Sequence, residues 1–240
     1  MLDSADDLDR SFRGGADLDT GLRRYLASVY LWMAGGVALT AAASWLVAKD
    51  QSLAAALFTN DGLTLFGWVV TLAPLGLVFL LSAGIGRLGA AAARWIFVLY
   101  AVLVGLSLGN LLFAFTGSSL VSTFVSAASG FAALAWAGST SRRDLSGIGS
   151  FLVMGLVGLV VAMLINLFTR SAGFDLMLSV IGLALFAGLT AVDARRLERL
   201  YRDAAIEGNE PPAILGALTL YLDFLNLFLF LLRFTGERRR

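Results

Sequence analysis

Two carboxylates stand in runs of residues that lipid accepts and charge does not: Asp193 in GLTAVDARRLERLY and Asp223 in LYLDFLNLF. On insertion scales an ionisable side chain inside a membrane span costs roughly 2.5–3.5 kcal/mol, so a retained one points to function. Around Asp223, the residues Thr219, Asn226 and Arg233 recur at spacings of 4, 3 and 7 and share one face of a helix. Ser179, Gly182 and Thr190 share a face with Asp193 in the same way. Two polar faces on consecutive helices are expected to turn toward each other. If the carboxyls meet, burial and mutual repulsion disfavour double ionisation, and the pair holds one shared proton over some pH window. Once doubly charged it needs a cation between the oxygens, and hard Ca²⁺ suits carboxylate and carbonyl ligands better than a softer metal. Asp193 and Asp223 are thus read as a pH sensor and a transient Ca²⁺ contact. For Asp193 a plainer reading stays open, that of a helix-end residue beside Arg195 and Arg196.

Composition narrows the chemistry further. The chain has 240 residues and neither Cys nor His, which removes disulfides, thiol chemistry, zinc sites built on those ligands and His-based catalytic triads. The only Lys, Lys49, lies outside the spans, so no buried Schiff base to retinal forms. There is no Gly-rich phosphate loop and no nucleophile elbow. Net charge is +1, and nucleic-acid binding is not indicated.

These residues need elements to position them, and 58% hydrophobic composition with a mean hydropathy of +0.82 requires most of the surface to face lipid or other helices. About 20 apolar residues cross a bilayer. Seven segments qualify, at 25–48, 63–83, 95–115, 120–139, 149–168, 175–194 and 213–234, which predicts an all-α membrane protein, a seven-transmembrane-helix bundle over 25–235. Residues 1–24 read as an acidic, disordered cytosolic tail and 236–240 as a basic C-terminal tail. With the N-terminus inside, twelve Lys and Arg fall on the cytosolic side against six outside. A re-entrant last segment would bring the C-terminus back to the cytosol, but its length and apolarity favour crossing.

Other polar positions carry weaker signals. Ser122, Ser126 and Ser129 share one face of the fourth span, and GLSLGN in the third places Gly105 and Gly109 at a small-xxx-small spacing beside Asn110. Close helix packing is the favoured reading for these over pore lining. Arg87 and Arg94 flank the link between the second and third spans, where Arg94 reads as an interfacial anchor. Asp144 or Ser146, in TSRRDLSG, is placed to cap the fifth span.

The strings GSTSRRDLSGIGSFLVMGLVGLVVAMLINLF, SVIGLALFAGLTAVDARRLERLY and ALTLYLDFLNLFLFLLRFTG resemble the bacterial branch of the Bax inhibitor-1 family, over about residues 25–234. The resemblance implies a seven-helix bundle with a central hydrophobic seventh helix, acting as a pH-sensitive calcium leak channel of the inner membrane. It also implies that the family's aspartate pair, on the sixth and seventh helices, is Asp193 and Asp223 here. The family commonly has an Arg near the end of the second helix that pairs with the aspartates. Gly84 aligns there and Arg87 lies one turn on, which makes Arg87 the candidate counter-charge. Where the family has Tyr or Trp before the first aspartate and Thr-Gln after it, this chain has Val192 and Ala194-Arg195.

Three functions were weighed on these features. The first is a passive Ca²⁺ and cation leak gated by protonation of the pair, with Ca²⁺ as permeant ion, protons as effector, no cofactor, the lipid bilayer as surroundings and a monomer as the expected state. The second is a non-conducting regulator of stress response or membrane-protein quality control whose partners are other membrane proteins. The third, an intramembrane aspartyl protease, ranks last because the Gly-x-Gly-Asp signature of those enzymes is missing around Asp223.

Overall fold

A computed structural model describes the backbone of residues 3–59, 62–84, 90–141, 146–207 and 212–239, and the side chains in these ranges apart from residues 3–17, 81–84, 90 and 146. The chain runs through α1 (Asp3–Lys49), α2 (Gln51–Leu57), a two-residue pairing of β1 (Phe58–Thr59) with β2 (Gly62–Leu63), α3 (Leu65–Gly84), α4 (Ala90–Leu108), α5 (Leu111–Ala114), α6 (Gly117–Thr140), α7 (Ser146–Thr169), α8 (Ala172–Ile206) and α9 (Ala213–Thr235). Among the described residues six helices, α1, α4 with α5, α6, α7, α8 and α9, are long and apolar enough to cross a membrane, and Leu65–Leu80 of α3 forms a shorter apolar helix. Six of the seven spans expected from the sequence thus meet the length and apolarity of a crossing among the described residues. Large apolar side chains such as Leu31, Phe79, Trp95, Trp136 and Phe168 point outward, as a bundle surrounded by hydrocarbon requires.

Helix α9 is the axis of the bundle. It packs on α8, α1, α6 and α4 and buries Leu220, Tyr221, Phe224 and Leu232 among others. Helices α1 and α4 run side by side in the same direction. The Thr40 hydroxyl donates to the Ala101 carbonyl at 2.9 Å and the Ser44 hydroxyl to the Gly105 carbonyl at 2.7 Å. A Cβ at Gly105 would lie 2.5 Å from the Thr40 carbonyl oxygen, so the small residue there serves close approach of α4 to α1. Thr40 also shares a hydrogen bond with the buried Tyr221 hydroxyl on α9, tying three helices at one point. Tyr221→Phe is expected to lower the unfolding free energy in detergent by about 1 kcal/mol. A thermal or denaturant midpoint unchanged from wild type would contradict this role.

Two element boundaries differ from the sequence reading. The first is α1, which starts at Asp3, so backbone read as a disordered tail is helical and continuous with the first span. Asp19 of this helix pairs with Arg202 of α8 at 3.3 Å. The second is α8, which continues twelve residues past Ala194 to Ile206. Leu197 and Tyr201 keep its buried stripe going, and Tyr201 stacks on Tyr25 with centroids 5.2 Å apart. Polarity at Arg195 marks a change of surroundings along a continuous helix.

At the far end, Asp50 caps α2. Its carboxylate accepts hydrogen bonds from the Ser52 and Leu53 amides at 2.9 and 3.2 Å and from the Ser52 hydroxyl, and these bonds, the Ser52 hydroxyl foremost, hold its pKa below the usual carboxylate range. A carboxyl whose folded pKa is depressed stabilises the fold above its unfolded pKa and loses that contribution as pH falls through the folded one. Protection of the Ser52 and Leu53 amides against exchange, relative to the intrinsic rate at each pH, is therefore expected to fall on acidification below the usual Asp range. Asp50→Ala should show the low protection at every pH.

Candidate functional site

The extended α8 brings the two aspartates level. Asp193 lies thirteen residues before the end of α8 and Asp223 ten residues after the start of α9, depths of ~20 and ~15 Å at 1.5 Å per residue on antiparallel neighbours. The side chains meet: the two carboxyl groups are in hydrogen-bonding contact. Asp223 is only 4% exposed, and its Oδ2 is buried with no hydrogen-bond partner. Such an oxygen is a cost unless a proton, water or cation visits it.

Several neighbours fix this arrangement. Gly138 of α6 lets the backbone of α8 approach at Ala191, where a Cβ would lie 2.1 Å from the carbonyl oxygen. The ring of Phe230 fills the space above Gly182 and stacks on Phe186 with centroids 5.8 Å apart, closing the α8–α9 seam below the pair. Thr190 is buried and returns its hydroxyl to the Phe186 carbonyl at 2.7 Å. Thr219 and Asn226 do likewise, donating to Leu215 at 3.1 Å and Leu222 at 2.8 Å, which leaves their other lone pairs available.

A cavity of about 900 Å³ opens against the pair, lined by α7, α8 and α9. Asp193, Asp223, Thr219 and Asn226 line it together with Ser150, Arg195, Arg196 and Arg199. The arginines were assigned from sequence to a link, yet their spacing from Asp193 on a helix that continues is the signal that places them here. Arg196 is near enough to act electrostatically on Asp193. Arg195 donates to Glu198 at 2.8 Å and to the Ser139 carbonyl at 3.2 Å. The helix-end reading of Asp193 does not hold, since α8 runs on past it.

Not every expected residue joins the site. Ser122, Ser126 and Ser129 face outward, donating to carbonyls of their own helix at 2.8–3.0 Å, so they neither line this cavity nor pack against a neighbour. Asn110 is exposed at the break between α4 and α5. Arg233, the last member of the stripe on α9, is beside Asp175 at 3.6 Å at the far end. Arg94 lies over the Trp32 ring. Arg87 and Asp144 lie outside the described residues, as does the side chain of Ser146.

Chemically the site offers two carboxylates with amide and hydroxyl oxygens nearby. Among the described residues no third acid joins them. Ca²⁺ takes six to eight oxygens in a resident site, more than these side chains supply.

Comparison with known proteins gives one consistent result. Residues 22–240 match the family described as inhibitor of apoptosis-promoting Bax1. The inner membrane protein YbhL of Escherichia coli K12 is 43% identical over 222 residues, covering 91% of this chain and 94% of the relative. A protein of Deinococcus radiodurans is 43% identical over 219 residues, 90% and 92% of the two chains. One from Caulobacter vibrioides is 35% identical over 239 residues, 95% and 94%.

Proposed function

The chain belongs to the Bax inhibitor-1 family, and from that premise we propose that it is a passive, pH-sensitive leak for cations, Ca²⁺ foremost, across a bacterial inner membrane. The observation that carries the reading is the contact of Asp193 with the buried Asp223 at the inner wall of a cavity. One proton added or removed there changes the charge of the pair by one unit in a low-dielectric setting, where that change is strongly felt by a neighbouring cation. Protonation thus sets the occupancy and the packing of the α8–α9 seam.

Our reading has seven crossings with a cytosolic N-terminus. It is supported by α1 and α4 running the same way and by the Ser107 hydroxyl of α4 reaching the Val70 carbonyl of α3 at 3.3 Å, which suits α3 as the return crossing between them. The C-terminal strand residues pair with the α5–α6 link, the Thr116 amide donating to Glu237 at 3.0 Å and the Arg239 amide to Ala114 at 2.9 Å, which sets the C-terminus at the end opposite Asp19 and Arg202. The arginines of the α8 extension and of the N-terminal segment then lie inside, as the positive-inside rule asks, and those of the C-terminal tail lie outside.

The test is Ca²⁺ entry into proteoliposomes carrying the purified monomer, followed with a trapped indicator across pH 5 to 8. A flux above that of empty liposomes that varies with pH is expected. Flux at the empty-liposome level from demonstrably folded protein would overturn the leak and favour a non-conducting regulator acting on other membrane proteins.

A further inference from the structure

We infer that the groove between α7 and α9 binds one anionic glycerophospholipid, its phosphate held by Arg195, Arg196 and Arg199 and one acyl chain lying along Val153, Leu156 and Val160. The cavity wall is divided as such a molecule is divided: three guanidiniums at one end of α8 and an aliphatic face on α7. Helix α7 packs on α8 and makes no extensive contact with α9 among the described residues, so the cavity is open sideways to the bilayer. Water gains little against an aliphatic wall of this kind, whereas a hydrocarbon chain from the surrounding leaflet fills it without cost.

The polar end asks for an anion. Arg195 already spends Nη1 on Glu198 and the Ser139 carbonyl, yet its Nε is buried with no hydrogen-bond partner. A phosphate oxygen supplies the missing acceptor once the Arg195 side chain turns its Nε toward the groove, and the planar guanidinium fork matches phosphate geometry. Arg196 and Arg199 lie on the same helix one and four positions on, close enough to share one headgroup. Basic pockets between membrane helices are a recurring form of headgroup recognition. A lipid with net negative charge fits better than a zwitterionic one, whose own ammonium competes for the phosphate.

The experiment is binding, read without ion flux, so it stands or falls separately from the leak. Protein in detergent is titrated with phosphatidylglycerol, phosphatidylcholine or inorganic phosphate, and bound lipid is counted by native mass spectrometry with thermal stabilisation as a second readout. One tightly held phosphatidylglycerol is expected. The double variant Arg196→Gln, Arg199→Gln should weaken it about 30-fold, at the ~fivefold per basic residue typical near a membrane surface. Val153→Trp, at an exposed position on α7, should weaken it by filling the acyl slot with the charges intact. Equal retention of phosphatidylcholine with no response to the arginine changes would overturn the proposal. So would full stabilisation by inorganic phosphate with no effect of Val153→Trp, which would make the site one for a free anion.

Discussion

Gly138→Leu is expected to leave no folded protein. The α6–α8 crossing brings the Ala191 backbone to where a side chain at residue 138 would begin, with 2.1 Å between that first carbon and a carbonyl oxygen. Neither atom belongs to a flexible side chain, so the helices must separate by several ångströms, and the hydrogen bond from Arg195 to the Ser139 carbonyl goes with them. Overpacking alone costs about 1–3 kcal/mol in a core, and loss of a helix–helix contact adds to it, so more than about 3 kcal/mol is expected. Gly158→Leu on α7 is the control, because nothing lies within 4 Å of the added carbon there. The two variants should separate cleanly in detergent, Gly158→Leu eluting and melting as the wild type and Gly138→Leu aggregating without a cooperative transition. A well-folded Gly138→Leu would mean that the close approach of α6 and α8 is not what places Asp193.

Asp223→Asn is expected to melt above the wild type. A carboxyl at 4% exposure, touching a second carboxyl and leaving Oδ2 without a partner, is among the least favourable ways to fill that volume. The amide keeps the shape, removes a charge and supplies a donor to Asp193, a gain on the order of 1–3 kcal/mol when a buried group goes from unpaired to paired. The measurement is the reversible unfolding midpoint at pH 8, where repulsion within the pair is greatest. A lower midpoint would show that Asp223 stabilises the bundle and would argue for a structural role. A higher one fits a residue kept for its chemistry at the expense of stability.

The site was legible in sequence because charge inside an apolar run is a strong signal that survives errors of a few residues. The same rule that found Asp193 misjudged its depth. Hydropathy ends the sixth helix before Arg195 and Arg196, because it reports where the surroundings become polar, whereas hydrogen bonding carries α8 on to Ile206. The continuing stripe of Leu197 and Tyr201 was the visible clue. Periodicity also showed that Ser122, Ser126 and Ser129 share a face, but it is blind to which way a face points. Their hydroxyls satisfy themselves on carbonyls of the preceding turn, so an outward stripe costs little. The meeting of α7 with α8, and the groove it leaves beside α9, depends on which helices become neighbours. No local pattern in one sequence specifies that.

On the proposed function, the Asp193–Asp223 pair is the titrating element of a cation leak. It is tested most directly by Ca²⁺ flux into proteoliposomes from pH 5 to 8, for the wild type beside Asp193→Asn and Asp223→Asn, each verified as folded. A pH-dependent wild-type flux is expected and, in either variant, a ratio of fluxes at the two ends of the range of about one, because a single remaining carboxyl no longer shares a proton. A wild-type pH profile retained unchanged in both variants would contradict it and place the sensor elsewhere in the chain.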